Sequence, residues 1–130
     1  MESVVRILKA ISDESRLRIL NLIVSADEIC VCDIESTLGF SQTKVSRHLT
    51  ILKNAGLVND RRQGLWMLYK LSETQFEAYK NLLVGLKEVF SSSPIFQEDL
   101  LRLAKAVKNG SCKTFSVIQP NRTPRIIQTQ

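Results

Sequence analysis

Three glycines, Gly39, Gly56 and Gly64, cut the stretch from Cys32 to Leu71 into four short apolar patterns. The first two have helical spacing. Cys32 to Leu38 predicts a short helix, and Gly39 after it can take the left-handed conformation that ends a helix. Ser41 then offers a capping hydroxyl, and Val45, Leu49, Leu52 and Ala55 fall at i, i+4, i+7 and i+10. Beyond Gly56 the period drops to two. Leu57 to Arg62 and Leu65 to Leu71 flank Gln63-Gly64, which predicts a β-hairpin with Arg61 and Arg62 near its tip. This succession predicts a mainly α fold with a β-hairpin wing, a winged helix-turn-helix.

Charge follows the same division. Residues 1–40 carry a net −3 and residues 41–70 a net +5, as large as the formal charge of the whole chain. A uniformly basic coat is thereby excluded, and an anionic partner is expected at the second helix and the wing. The solvent side of that helix presents Gln42, Thr43, Ser46, Arg47 and Thr50, amide, hydroxyl and guanidinium groups that pair with base edges and phosphates. Ser41, Lys44 and His48 are assigned to the same DNA-reading surface, and Arg61 and Arg62 to the adjacent phosphates or minor groove.

Val4, Ile7, Leu8 and Ile11 predict a helix before the core, and a second begins near Leu17. After the wing, Phe76, Tyr79, Leu83, Leu86 and Phe90 form an apolar stripe over residues 73–90, broader than a small winged core needs. Together with Val4, Ile7 and Leu8 it is expected to join two subunits, giving a homodimer through terminal helices that matches a palindromic site. Residues 1–90 are expected to form this DNA-binding and dimerisation domain. Residues 91–130 form a C-terminal extension, helical to about Lys108 and irregular from Gly110, where Pro120 and Pro124 discourage a helix.

The chain has 130 residues, room for one domain with its own core, and only 3 cysteines. An odd thiol count argues against a disulfide scaffold and for a reducing cytoplasm, and no signal peptide or membrane span is predicted. Cys30 and Cys32 can converge only if Cys30 is extended and Cys32 opens a helix, where unpaired N–H groups would favour thiolate. Cys112 is a candidate third sulfur. There is no fourth cysteine and His48 is the only histidine, so a zinc site of four cysteines, or of two cysteines and two histidines, cannot close in one chain. Three thiolates suit trivalent arsenic or antimony, with lead or cadmium as alternatives.

Cys30-Val31-Cys32-Asp33-Ile34, Ser41-Gln42-Thr43-Lys44-Val45-Ser46-Arg47-His48-Leu49, Lys53-Asn54-Ala55-Gly56-Leu57-Val58 and Arg61-Arg62-Gln63-Gly64-Leu65-Trp66 together resemble the arsenic-responsive branch of the bacterial ArsR/SmtB repressors. The likeness covers about residues 4–90. It implies a homodimer that sits on double-stranded operator DNA without a cofactor and leaves when As(III) or Sb(III) binds its thiolates. One position departs: members of that branch commonly have a third cysteine where this chain has Glu35. Other readings are a thiol redox or persulfide-responsive repressor, a cadmium or lead sensor, and a winged-helix protein-interaction module. No acid–base pair or nucleophile triad indicates an enzyme, and neither a small organic substrate nor a membrane is expected as partner.

Overall fold

Asp13 starts the first core helix: its backbone is extended and its carboxylate accepts the Arg16 N–H at 3.0 Å, satisfying one of the donors a helix N-terminus leaves open. In this computed structural model, which describes residues 2–73 and 79–125, that helix is α2 (Glu14–Ala26), preceded by α1 (Glu2–Ala10). Ile19, Leu20, Leu22 and Ile23 of α2 are at most 1% exposed, so it is wrapped on nearly every side. Each such side chain contributes about 1.5–3 kcal/mol by its burial.

The chain continues through β1 (Glu28–Cys30), α3 (Val31–Leu38), α4 (Gln42–Asn54), β2 (Val58–Gln63) and β3 (Trp66–Leu71). The hairpin turns through Gly64 at φ 61°, which glycine adopts without strain, and Leu65. The sheet has a third strand. Its order is β1-β3-β2, all antiparallel, with Cys30 opposite Leu68 and Gln63 opposite Trp66. The fold is therefore a mainly α-helical winged helix-turn-helix with a three-stranded antiparallel wing, and β1 ties the first cysteine directly to it.

Among the described residues α5 (Lys80–Ser92) and α6 (Pro94–Lys108) follow. Pro94 sits in the first turn of α6, where its missing N–H costs nothing. Phe90 and Phe96 meet with ring centroids 4.8 Å apart and fold α6 back on α5. The stretch beyond Gly110, expected to be irregular, instead forms a π-helical turn at Thr114–Ile118. Leu103, Cys112 and Phe115 belong to the same core cluster as Ile19 and Leu52, so residues on both sides of position 90 share one core.

The expected dimer stripe divides by burial. Ile7 and Leu83 are 1% and 8% exposed and line one small cavity with Ile11 and Leu20, while Phe90, 3% exposed, packs on Phe96 of α6. Val4, Tyr79 and Leu86 are half-buried and Leu8 is exposed. Phe76 lies outside the described residues. The apolar side chains that remain exposed on these helices are Val5, Leu8, Val84 and Val89.

Candidate nucleic-acid interface and thiol site

Gly39, in the left-handed region at φ 70°, donates its N–H to the Glu35 carbonyl at 2.8 Å and ends α3. Two residues later the Ser41 hydroxyl accepts the Lys44 N–H at 3.2 Å and starts α4. The Lys44 ammonium rests 3.8 Å from the centroid of the Phe40 ring, fixing the turn between the two helices. Val45, Leu49 and Leu52 face the core, which leaves Ser41, Gln42, Thr43, Ser46, Arg47 and Thr50 exposed and Lys44 half-buried. Six of the expected reading residues thus share one solvent face.

His48 does not join them. It is 6% exposed, with Nδ1 3.3 Å from Nη1 of Arg16, and burial holds its pKa below the ordinary histidine range. Position 48 follows Val45 by three residues and precedes Leu52 by four, so helical spacing itself turns it inward.

In the wing, Arg61 and Arg62 project from opposite faces of a strand. Arg62 is exposed. Arg61 is tied down: Nε and Nη2 each donate to the Glu28 carboxylate at 2.8 Å, and Nη1 donates to Gln63 at 3.0 Å. Arg61, still exposed, thus shares the Glu28 carboxylate with Arg122, whereas Arg62 stands in solvent. Glu28, which sequence reasoning did not single out, also accepts from Gln119 at 2.7 Å and pairs with Arg122 at 3.6 Å.

Arg61, and secondarily Gln119, hold the Glu28 carboxyl below its ordinary value of 4.5 against the opposing effect of burial. A carboxylate with a lowered folded pKa stabilises the fold above its unfolded value and loses that contribution as pH falls through the folded one. The stability difference between wild type and Glu28→Gln should therefore be constant above about pH 5 and shrink steadily below it, as read by denaturant melts across pH. A difference that grows on acidification would contradict the assignment.

The two neighbouring cysteines sit as spacing required. Cys30 is extended (φ −72°, ψ 144°) at the end of β1, the helix begins at Val31, and Cys32 falls in its first turn. Their sulfurs are 2.7 Å apart, and with the Asp33 carboxylate they form a group whose ligand atoms all lie within 4.8 Å of one another. Cys30 is buried and Cys32 half-buried. The expected thiolate-favouring effect of the helix start does not prevail: burial, then the Cys30 thiol and the Asp33 charge, push the Cys32 thiol up. Glu35, one turn on, is outside the group.

Cys112 is 2% exposed within the core, and its thiol is pushed up to about 12 by burial and by neighbouring Asp33. It stands beside Asp33 yet outside the group formed with Cys30 and Cys32. Asp33 itself was not read as a site residue. Its carboxylate accepts the Lys113 N–H at 2.8 Å, the Thr114 N–H at 2.7 Å and the Thr114 hydroxyl, contacts 80 and more positions away that no local spacing announces. Two soft sulfurs already converging beside an oxygen suit a thiophilic ion.

Residues 13–60 match the family described as bacterial regulatory protein, arsR family. The chain is 46% identical over 68 residues to the arsenical resistance operon repressor of Escherichia coli (strain K12), covering 52% of this chain and 58% of that protein. It is 36% identical over 99 residues to the arsenic resistance transcriptional regulator ArsR1 of Pseudomonas putida, covering 76% of each. A cadmium resistance transcriptional regulatory protein, CadC of Listeria innocua, is 36% identical over 86 residues, covering 66% of this chain and 72% of that one. The match thus spans little more than half the length of the first of these relatives. Among solved structures, the homodimeric winged helix-turn-helix DNA-binding domain from Mycobacterium bovis, titled a possible ArsR-family transcriptional regulator, superposes with a TM-score of 0.58 at 30% identity, covering 67% of this chain and 80% of that one. Among the described residues no helix is long and apolar enough to cross a membrane.

Proposed function

The chain belongs to the ArsR family of bacterial regulatory proteins, and on that premise we propose that it is a repressor that holds operator DNA as a homodimer and releases it when As(III) or Sb(III) is captured by Cys30 and Cys32. The family is one of regulators, and the chain is not an enzyme. One observation carries the ligand reading: two sulfurs 2.7 Å apart at the start of the helix that leads, through Gly39 and Phe40, into the reading helix. Arsenic or antimony supplies a soft, thiophilic centre, and the chain supplies the two thiols, with Asp33 and Cys112 as candidates for a third donor. No cofactor is needed for DNA binding in this reading. The arsenic-resistance relatives support the choice of ion, and the M. bovis homodimer supports the two-copy assembly, here through the exposed faces of α1 and α5 that carry Leu8, Val5, Val84 and Val89.

Within this proposal Ser41, Gln42, Thr43, Lys44, Ser46, Arg47 and Thr50 read the major groove and Arg62 grips the phosphates, while His48 and Arg61 position α4 and the wing. Arg47→Ala should weaken the specific complex by about 10- to 100-fold, the worth of one base-reading guanidinium. Arg62→Ala should weaken specific and non-specific duplexes alike and lower the salt slope by about one. Fluorescence anisotropy on both duplexes over a range of salt reads both. An Arg47→Ala protein with unchanged preference for its operator would remove that residue from the reading surface.

The reading as a whole is tested by titrating arsenite, with antimonite and cadmium in parallel, into the fully reduced protein on its operator. Release by arsenite at stoichiometric concentrations is expected. Cadmium or lead sensing is the second reading, favoured by the Asp33 oxygen in the donor group and by the cadmium-resistance relatives. Release by cadmium alone would select it, and release only by oxidant would select a redox sensor.

A further inference from the structure

The segment after α6 is the most densely bonded piece of chain around the thiols. The Thr114 hydroxyl accepts the Cys30 N–H at 2.9 Å and donates to Asp33, whose two oxygens also take the Lys113 and Thr114 N–H groups. Ile118 packs in one apolar cluster with Cys30 and Leu68, against which Cys32 and Trp66 lie. Further on, Gln119 and Arg122 bind Glu28, the Arg122 guanidinium also donates to the Ala26 and Glu28 carbonyls, and the Ile118 carbonyl accepts from Gln63 of the wing at 3.0 Å. One stretch, residues 112–122, thereby touches the thiol site, the edge strand and the wing.

We propose that this stretch is a strap that competes with the captured ion for the same residues, so that ligation at Cys30 and Cys32 expels it. The proposal rests on the soft-ion reading of those thiols. Each thiol that replaces a hydroxide on arsenous acid, As(OH)3, forms an S–As bond and gives its proton to the departing hydroxide, which leaves as water. Nothing is oxidised. Two sulfurs bonded to one arsenic atom would stand near their ordinary van der Waals separation, so the pair, now at 2.7 Å, has to spread. Cys30 is the member held by Thr114 and Ile118.

The third position sharpens the conflict. An ion that draws on Asp33 competes with the Lys113 and Thr114 N–H groups for its oxygens, and Cys112 can reach the ion only by leaving the core and drawing the same two residues with it. Either donor undocks the strap. Once undocked, Glu28 loses Gln119 and Arg122, and the wing loses its bond to Ile118, which links capture of the ion to the DNA-binding elements.

The full-length reduced protein tests this with arsenite as probe. Saturating arsenite should accelerate trypsin cleavage after Lys113 and Arg122, located by mass spectrometry, by about tenfold, the cleavage rate following the open population. The fluorescence of Trp66, the single tryptophan, should change with the same midpoint. Thr114→Val removes strap bonds without removing a donor, so arsenite should bind it about tenfold more tightly, whereas Thr114→Ser should match wild type. Gln119→Ala, altered far from the thiols, should shift the midpoint the same way by about twofold to fivefold and covers the case in which Thr114→Val does not fold. Arsenite bound with no change in cleavage, or bound more weakly by Thr114→Val and Gln119→Ala, overturns the strap alone. No arsenite uptake by the reduced thiols overturns the strap and the soft-ion reading together.

Discussion

Serine at Cys30 or at Cys32 is expected to keep the protein on its operator at arsenite concentrations that empty the wild-type complex, moving the midpoint of release by at least about a hundredfold. Taking a two-state regulator from mostly bound to mostly free requires about 5.5 kcal/mol of differential affinity between the states. Two converging thiols are the only pair of soft donors the group offers, and a serine oxygen, hard and protonated at neutral pH, replaces neither. Both variants are to be measured by anisotropy against wild type, each from its own ion-free baseline. Cys112→Ser and Asp33→Asn then separate the third donor: loss of response in the first assigns a sulfur, and in the second an oxygen. A Cys32→Ser protein that still releases at the wild-type concentration would dissociate the sulfur pair from regulation altogether.

What could be read from the sequence and what could not divides by range. The Gly39 stop, the Ser41 cap, the hairpin around Gly64 and the change from extended Cys30 to helical Cys32 are set by neighbours a few positions apart, and the structure has all of them. The same local logic, applied more strictly, would have turned His48 inward with Val45 and Leu52. Arg61 is different. Its partner Glu28 is 33 positions away, and only the addition of β1 to the wing brings them together. Asp33 with Thr114, and Arg18 with Asp99, are separated by 81 positions each, and nothing in their own surroundings marks them as paired. Ile7, Leu83 and Phe90 looked like spare apolar surface because the helices that cover them could not be placed from spacing alone. In each case burial or charge matching across the fold, and not the residue's own neighbourhood, decided its role.

The Arg18 and Asp99 pair carries the largest expected stability effect. Asp99 is fully buried on α6, and its two oxygens accept from Nε and Nη2 of Arg18 at 2.9 and 3.0 Å, with Arg102 at 3.3 Å. Asp99→Ala strands a largely buried guanidinium without a counter-ion, and removal of one partner of such a pair costs about 3–5 kcal/mol. For a chain of this size that lowers Tm by roughly 10–20 °C. The other side of Arg18 lies 5.2 Å from the Phe40 ring centroid, the ring on which Lys44 also rests, so the loosened side chain sits under the turn that aims α4. Operator binding should therefore weaken in Asp99→Ala at temperatures where the protein is still folded by circular dichroism. A double variant, Arg18→Met with Asp99→Leu, removes both charges and should recover most of the lost stability, since well-packed apolar residues often replace a buried ion pair at little cost. It should not recover the operator affinity, because the contact between Arg18 and Phe40 is gone as well. Recovery of both together would show that the pair acts on DNA binding only through global stability.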